Sequence, residues 1–292
     1  MSRRQGVIRR ERAGVFWLEA EVISATGRVI HAFSTRRGGV SEGPWSELNL
    51  GHGTGDRPER VTENRRRLLA ALGLAGREFV TARQVHGSHL MVVSGPREAA
   101  AVAAAPADGL LTASSAVALA ILTADCLPVL LVDPRRSAVA AVHSGWRGTV
   151  QRIAGRAVRR MTEEFGSAPA DLRVAIGPGI GPCCYEVDWP VLEQVAAAFP
   201  GAEDTLITPV RKGRALFDLR AAVLYDLKET GVPGENVTVV EECTACQAEW
   251  FFSYRRDGQS TGRMAAVIGL REGTGCREGK GYPEETGAGR ER

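Results

Sequence analysis

The chain has 292 residues, of which 44% are hydrophobic and 24% charged, enough for one large globular domain or two ordinary ones. A chain of this size buries a core without needing a disulfide or a metal to hold it folded. Lys and Arg number 37 against 34 Asp and Glu, and a net charge of +3 argues for neither a nucleic-acid nor a membrane-surface partner.

The first residues carry Arg3, Arg4, Arg9, Arg10 and Arg12 with no apolar h-region behind them. Residues 1–14 therefore read as a flexible, solvated N-terminus rather than a secretory signal. Strands are expected at 15–21 and 30–34, then an amphipathic helix at 57–72 with Val61, Leu68, Leu69 and Leu72 on one face. Further strands are expected at 79–84, 89–94, 117–123, 129–133 and 138–143. The apolar stretch from Ala116 to Val132 is interrupted by Thr123, Asp125 and Pro128 and is not a membrane span. A helix at 149–165, a strand at 172–176 and helices at 190–198 and 219–230 follow, with final strands at 237–240, 251–254 and 264–270. No linker divides residues 15–271, which read as one α/β domain with packed sheets and outer helices. Residues 272–292 are too poor in apolar groups to order themselves.

His86, Cys126 and His143 each stand at a strand end, separated by 40 and 17 positions. These spacings are too long for a zinc finger but suit a site assembled from three strand ends. Two imidazoles and a thiolate match zinc, and three protein ligands leave a fourth position for water or substrate. A second reading of the same residues makes Cys126 a nucleophile, His143 its base and Asp125 an assisting group. A third takes them as ordinary core residues.

Anion binding is suggested by Ser144-Gly145-Trp146-Arg147-Gly148 between a strand and a helix, where Arg147 adds a forked, permanent charge. Thr35-Arg36-Arg37-Gly38-Gly39, Asn64-Arg65 and the glycine-rich 176–182 turn look similar, yet none is a Walker or Rossmann fingerprint. Six cysteines without a signal point to a reducing cytoplasm. Cys183-Cys184 and Cys243-x-x-Cys246 are hard to match as a second zinc site and read as buried free thiols, with Cys276 idle in the tail.

Together these strings resemble the YfiH-type laccase-domain family. Phe-Ser-Thr-Arg-Arg-Gly-Gly-Val-Ser (33–41), Leu-Asn-Leu-Gly (48–51), Glu-Asn-Arg-Arg-Arg-Leu (63–68), Gln-Val-His-Gly (84–87), Ala-Asp-Gly (107–109), Thr-Ala-Asp-Cys-Leu-Pro-Val (123–129), His-Ser-Gly-Trp-Arg-Gly (143–148), Ile-Gly-Pro-Gly-Ile-Gly-Pro (176–182), Phe-Phe-Ser-Tyr-Arg-Arg-Asp (251–257) and Thr-Gly-Arg-Met-Ala (261–265) occur in the family's order. The resemblance spans about Val29 to Leu270. It implies a four-layer α/β/β/α sandwich with mixed sheets and zinc held by His86, Cys126 and His143. It further implies phosphorolysis of adenosine, inosine and methylthioadenosine, with adenosine deamination. The partners are then purine nucleosides and phosphate; no protein partner is expected.

Within that frame Asn49, Arg65, Arg147 and Gly148 are the phosphate- or substrate-binding candidates, and Asp125, Cys126 and His143 the catalytic ones. Asp125 either shuttles protons or merely orients a ligand histidine. The family was first described as multicopper polyphenol oxidases, so copper is the alternative metal. Five histidines in all are few for a multicopper centre. A cysteine hydrolase acting on a peptidoglycan precursor and a non-catalytic purine-binding module are the other rivals.

Overall fold

A computed structural model describes residues 6–272. The expected disorder of the 272–292 tail and the placement of Cys276 lie outside the described residues, apart from Glu272 itself.

The strands in chain order are β1 (Val7–Arg12), β2 (Val15–Ala20), β3 (Val29–Ser34), β4 (Glu78–Val80) and β5 (Leu90–Val92). They continue with β6 (Gly109–Thr112), β7 (Val117–Thr123), β8 (Leu127–Asp133), β9 (Ala138–Ser144) and β10 (Arg173–Ile176). The last are β11 (Glu186–Asp188), β12 (Ile207–Arg211), β13 (Arg214–Phe217), β14 (Val237–Val239) and β15 (Met264–Leu270). One six-stranded sheet runs β1-β2-β3-β15-β7-β4, and a second runs β14-β10-β8-β9-β6-β5. Both are mixed: β4 lies parallel to β7, β5 to β6 and β10 to β14, while the remaining neighbours are antiparallel. A three-stranded sheet, β11-β13-β12, sits apart from them and was not anticipated from the sequence.

The two-residue period of the strands sorts their side chains into three cores. Leu119, Ile121 and Ile268 of the first sheet pack with Leu130, Val132 and Ala141 of the second. Ala118, Ala120 and Val267 face the other way, onto Leu68, Leu69 and Leu72 of the Pro58–Leu72 helix. Val129, Leu131 and Val142 turn outward onto Ala157, Val158 and Met161 of the Ile153–Phe165 helix and onto Val223 and Leu227 of the Leu219–Glu229 helix. Helices, sheet, sheet and helices therefore follow one another in space. Strands covered on both faces read as continuous apolar runs, as β8 and β9 do.

Four local expectations differ from the structure. The loose start instead contains β1, paired with β2 over its full length. Ala13 and Gly14 both have positive φ, 53° and 79°, the backbone of a two-residue hairpin turn whose twist matches the strands. Arg9 also lies over the Trp250 ring at 4.4 Å. The expected 149–165 helix breaks at Arg152, whose φ is 61°, into Trp146–Val150 and Ile153–Phe165. The strain is offset by the Arg152 guanidinium, which stacks on Phe199 at 4.0 Å and donates to the Ala198 carbonyl. The expected strand at 79–84 is only Glu78–Val80. Residues 251–254 are not a strand: Phe251 and Phe252 are buried in a loop, and Ser253 caps a short Tyr254–Asp257 helix by accepting the Arg256 N–H.

His31, inside the first sheet, accepts the Ala20 N–H at Nε2 over 2.8 Å and must be neutral to do so. Burial lowers its pKa from 6.5 to about 4 against a smaller upward pull from Glu19. The unfolded chain therefore binds the extra proton first, so stability is full above pH 6.5 and falls as the pH drops through about 4. The expected loss is about 3 kcal/mol across that window. His31→Gln should flatten this part of the pH–stability curve in denaturant titrations; an unchanged curve would show that another group controls it.

Candidate metal centre and catalytic cavity

The β8–β9 register pairs Pro128 with His143 and Leu127 with Ser144. Continued by one step, it brings Cys126 opposite Gly145. The space exists because residue 145 lacks a side chain: a Cβ there would lie 2.9 Å from Cys126 Sγ and 3.2 Å from His86 Cδ2. His86 arrives from the loop between β4 and β5. One donor atom from each of His86, Cys126 and His143 lies within 4.8 Å of the others, close enough for one ion. The His86 and His143 rings meet edge to face, 4.9 Å apart.

Asp108, wholly buried at the start of β6, organises this centre. Its Oδ1 pairs with His143 Nδ1 at 2.8 Å and accepts the His86 N–H at 2.9 Å. Its Oδ2 accepts the Gly87 and Val85 N–H groups at 2.7 and 3.2 Å. One carboxylate thus holds the loop that carries His86, whose φ is 59°, and leaves His143 Nε2 to face the other donors. Burial works against the charge of Asp108, but His143 and the loop N–H groups outweigh it and keep its pKa below the usual value.

Burial likewise opposes a charged Cys126, yet the neighbouring His143, helped by His86, brings the thiol down to about 6. His143 is pushed up to about 9, against burial, by Cys126 and Asp108. Each member of the pair thus favours the charged form of the other, and a divalent cation would supply the same positive charge to the thiolate. A soft thiolate with two imidazoles and a fourth side open to the cavity fits zinc in a catalytic arrangement.

The centre opens into a cavity of about 690 Å³. Its lining includes His52, Gln84, Asp125, Tyr185, Tyr254, Arg255 and Arg263. Asp125 has φ 100° and is held by two bonds of 2.6 Å, from Thr244 Oγ1 to Oδ1 and from the Arg255 N–H to Oδ2. Burial keeps the Tyr185 phenol protonated by raising its pKa. It also lowers the pKa of Arg263.

The metal-ligand candidates therefore converge, and Asp125 lies beside them. The phosphate candidates do not. Asn49 is buried and spends its amide on Gly51, Thr54 and Asp56, while its oxygen accepts the Gly51 and Arg263 N–H groups. Arg65 donates to the Leu50 carbonyl and lies over Phe79, and Arg147 stacks on Trp146; neither lines the cavity. Gly148 is a packing position, since a Cβ would come within 2.9 Å of the Gly87 carbonyl oxygen. Of the two roles expected for Asp125, the orienting of a ligand histidine is corrected: Asp108 pairs with His143, and Asp125 accepts from Thr244 and the Arg255 N–H. Sequence reasoning missed Asp108, Arg255 and Arg263 as site residues, although the 107–109, 251–257 and 261–265 strings contain them.

An α/β protein with two mixed sheets and an open His-Cys-His centre is thus defined. Residues 30–271 match the sequence model of a family described as multi-copper polyphenol oxidoreductase laccase. The chain belongs to that family, also known through its YfiH members. It is 38% identical over 261 residues to the purine nucleoside phosphorylase YlmD of Geobacillus stearothermophilus, covering 88% of this chain and 95% of that one. It is 44% identical over 247 residues to a purine nucleoside phosphorylase of Deinococcus radiodurans, covering 84% and 91%. The crystal structure of the Geobacillus YlmD matches with a TM-score of 0.84 over 91% of this chain and all of the other. Bacillus licheniformis YfiH, at 33% identity, also gives 0.84, over 90% of this chain and 99% of that one.

Proposed function

We propose that this chain is a zinc-dependent purine nucleoside phosphorylase acting on adenosine, inosine and methylthioadenosine, with an adenosine deaminase activity in the same cavity. The observation that carries the reading is an open three-donor centre in the floor of a cavity of about 690 Å³ walled by two arginines. That volume lies in the usual range for small-molecule sites. Relatives named purine nucleoside phosphorylase support the phosphorolytic part of this reading.

Phosphorolysis forms a bond from a phosphate oxygen to the ribose C1′ while the bond to the purine nitrogen breaks. The purine leaves with the electron pair and takes up the proton that the attacking hydrogen phosphate gives up. Arg255 and Arg263, with His52 at the mouth, hold phosphate in place of Arg65 and Arg147, which lie outside the lining. His86, Cys126 and His143 would hold zinc, which supplies Lewis-acid polarisation when bound. The Tyr185 hydroxyl donates a hydrogen bond to the substrate. Asp125 moves the proton that deamination needs, at a carboxylate fixed by Thr244 and the Arg255 N–H.

The copper-oxidase reading is not favoured. His31 is committed to the Ala20 N–H, and only His52 joins His86 and His143 at the cavity. Multicopper catalysis needs more imidazoles than that. A hydrolase with Cys126 as nucleophile would survive chelation of zinc, whereas the phosphorylase would not.

The test is zinc-loaded protein with adenosine, with and without phosphate, separating adenine, hypoxanthine and inosine. Phosphate-dependent adenine with ribose 1-phosphate is the expected result, with inosine from deamination. Asp125→Asn, with zinc retained, should lower inosine formation by about 10²-fold or more. Full deamination by that variant would remove Asp125 as the proton carrier, and no product from the zinc-loaded wild type would overturn the reading.

A further inference from the structure

Four sulfurs converge outside the catalytic cavity. Cys183 and Cys184 lie between β10 and β11, and Cys243 and Cys246 lie in the loop after β14. Their Sγ atoms all lie within 4.8 Å of one another. Cys246 Sγ is 3.4 Å from Cys184 Sγ and 3.6 Å from Cys183 Sγ. These separations are well beyond a sulfur–sulfur bond of about 2.05 Å. They approach the edge of roughly 3.8 Å that four thiolates form around zinc at about 2.3 Å. The expectation of four buried thiols fails, because Cys183 and Cys246 are exposed. Apolar packing therefore does not account for the cluster.

The backbone around the sulfurs is already braced. A bridge joins Gly179 to Cys243, and the Thr244 N–H donates to the Gly179 carbonyl. The Gly181 N–H donates to Cys243 Sγ at 3.2 Å, the kind of bond that stabilises a metal-bound thiolate. A Cβ on Gly181 would lie only 3.2 Å from both Cys183 Sγ and Cys243 Cβ. Three arginines fasten the loops that carry the sulfurs through backbone carbonyls. Arg220 donates to the Gly179, Glu241 and Glu242 carbonyls, Arg255 to the Cys184 carbonyl, and Arg256 to the Thr244 and Ala245 carbonyls.

We propose that Cys183, Cys184, Cys243 and Cys246 hold a second zinc ion in a closed, structural four-thiolate site. The ion clasps the loop between β10 and β11, which lines the catalytic cavity through Ile180 and Tyr185, to the loop after β14. Thr244, between the two ligands of its loop, fixes Asp125, and Tyr185, next to Cys184, lines the cavity. A Cys-Cys pair and a Cys-x-x-Cys pair thus complete each other, which the linear spacing conceals.

The test is zinc content per full-length chain, purified under reducing conditions, for wild type, Cys246→Ser, Cys183→Ser and His86→Ala. Two zinc ions in wild type, falling to one in each variant, are expected. A single ion in wild type that is lost in Cys246→Ser would still support the four-thiolate site while counting against the three-donor centre. Cobalt(II) added to the His86→Ala protein should give the thiolate charge-transfer and tetrahedral visible bands of a four-sulfur site, a readout that needs no cysteine replacement. One zinc in wild type, retained in Cys246→Ser and Cys183→Ser, and no such spectrum would overturn the proposal.

Discussion

Asp108→Ala is expected to remove about 3–5 kcal/mol of stability and to abolish metal binding in the same step. The carboxylate is buried and serves four partners: the His143 ring and the N–H groups of Val85, His86 and Gly87. Removing it takes the acceptor from three part-buried N–H groups of the loop and the carboxylate partner from the buried His143 ring. It also frees a loop that holds His86 at positive φ. A loss on this scale should lower the melting temperature by on the order of 10 °C. Asp108→Asn keeps the volume but points an amide N–H₂ at donors, so it should cost nearly as much. Calorimetry and zinc analysis of both variants check this. Wild-type melting and full zinc in Asp108→Ala would show that His86 and His143 are held by other means.

Gly145→Ala isolates a different constraint. Gly145 has φ −76° and ψ 172°, a backbone that alanine adopts freely. The added methyl therefore acts only through what it meets, and that is Cys126 Sγ at 2.9 Å and His86 Cδ2 at 3.2 Å. Either the thiolate or the imidazole must swing away from the ion. Zinc affinity should fall about 10- to 100-fold while the fold survives. Activity should fall in parallel and recover in part at high zinc. Competition titration with a chromogenic chelator, alongside circular dichroism, separates this outcome from unfolding. Unaltered affinity would mean that the ligands have room the register does not suggest.

Much of the centre was legible before any coordinates. His86, Cys126 and His143 stood out because their residue types are scarce and each follows a strand-like run. The buried strands were legible from their unbroken apolar character, as in β7, β8 and β9. What failed depended on distant partners. Arg152 breaks a helix because Phe199 and Tyr225, far along the chain, receive its guanidinium. Val7–Arg12 is charged and looks solvated, but strand β2 offers it a pairing edge. Arg147 looked suited to phosphate by local context, but it lies over Trp146 and is not part of the cavity lining.

The sequence by itself determined the apolar runs that become the inner strands, a property of local period that needs no knowledge of neighbours, and its strings in order carried the family resemblance that singled out His86, Cys126 and His143 as candidate donors. Only the tertiary structure decided that Asp108 organises the centre, that Arg255 and Arg263 face the cavity and that four cysteines meet. Each of these joins segments separated by tens of residues, and the register of two mixed sheets with the loops between them sets which segments meet.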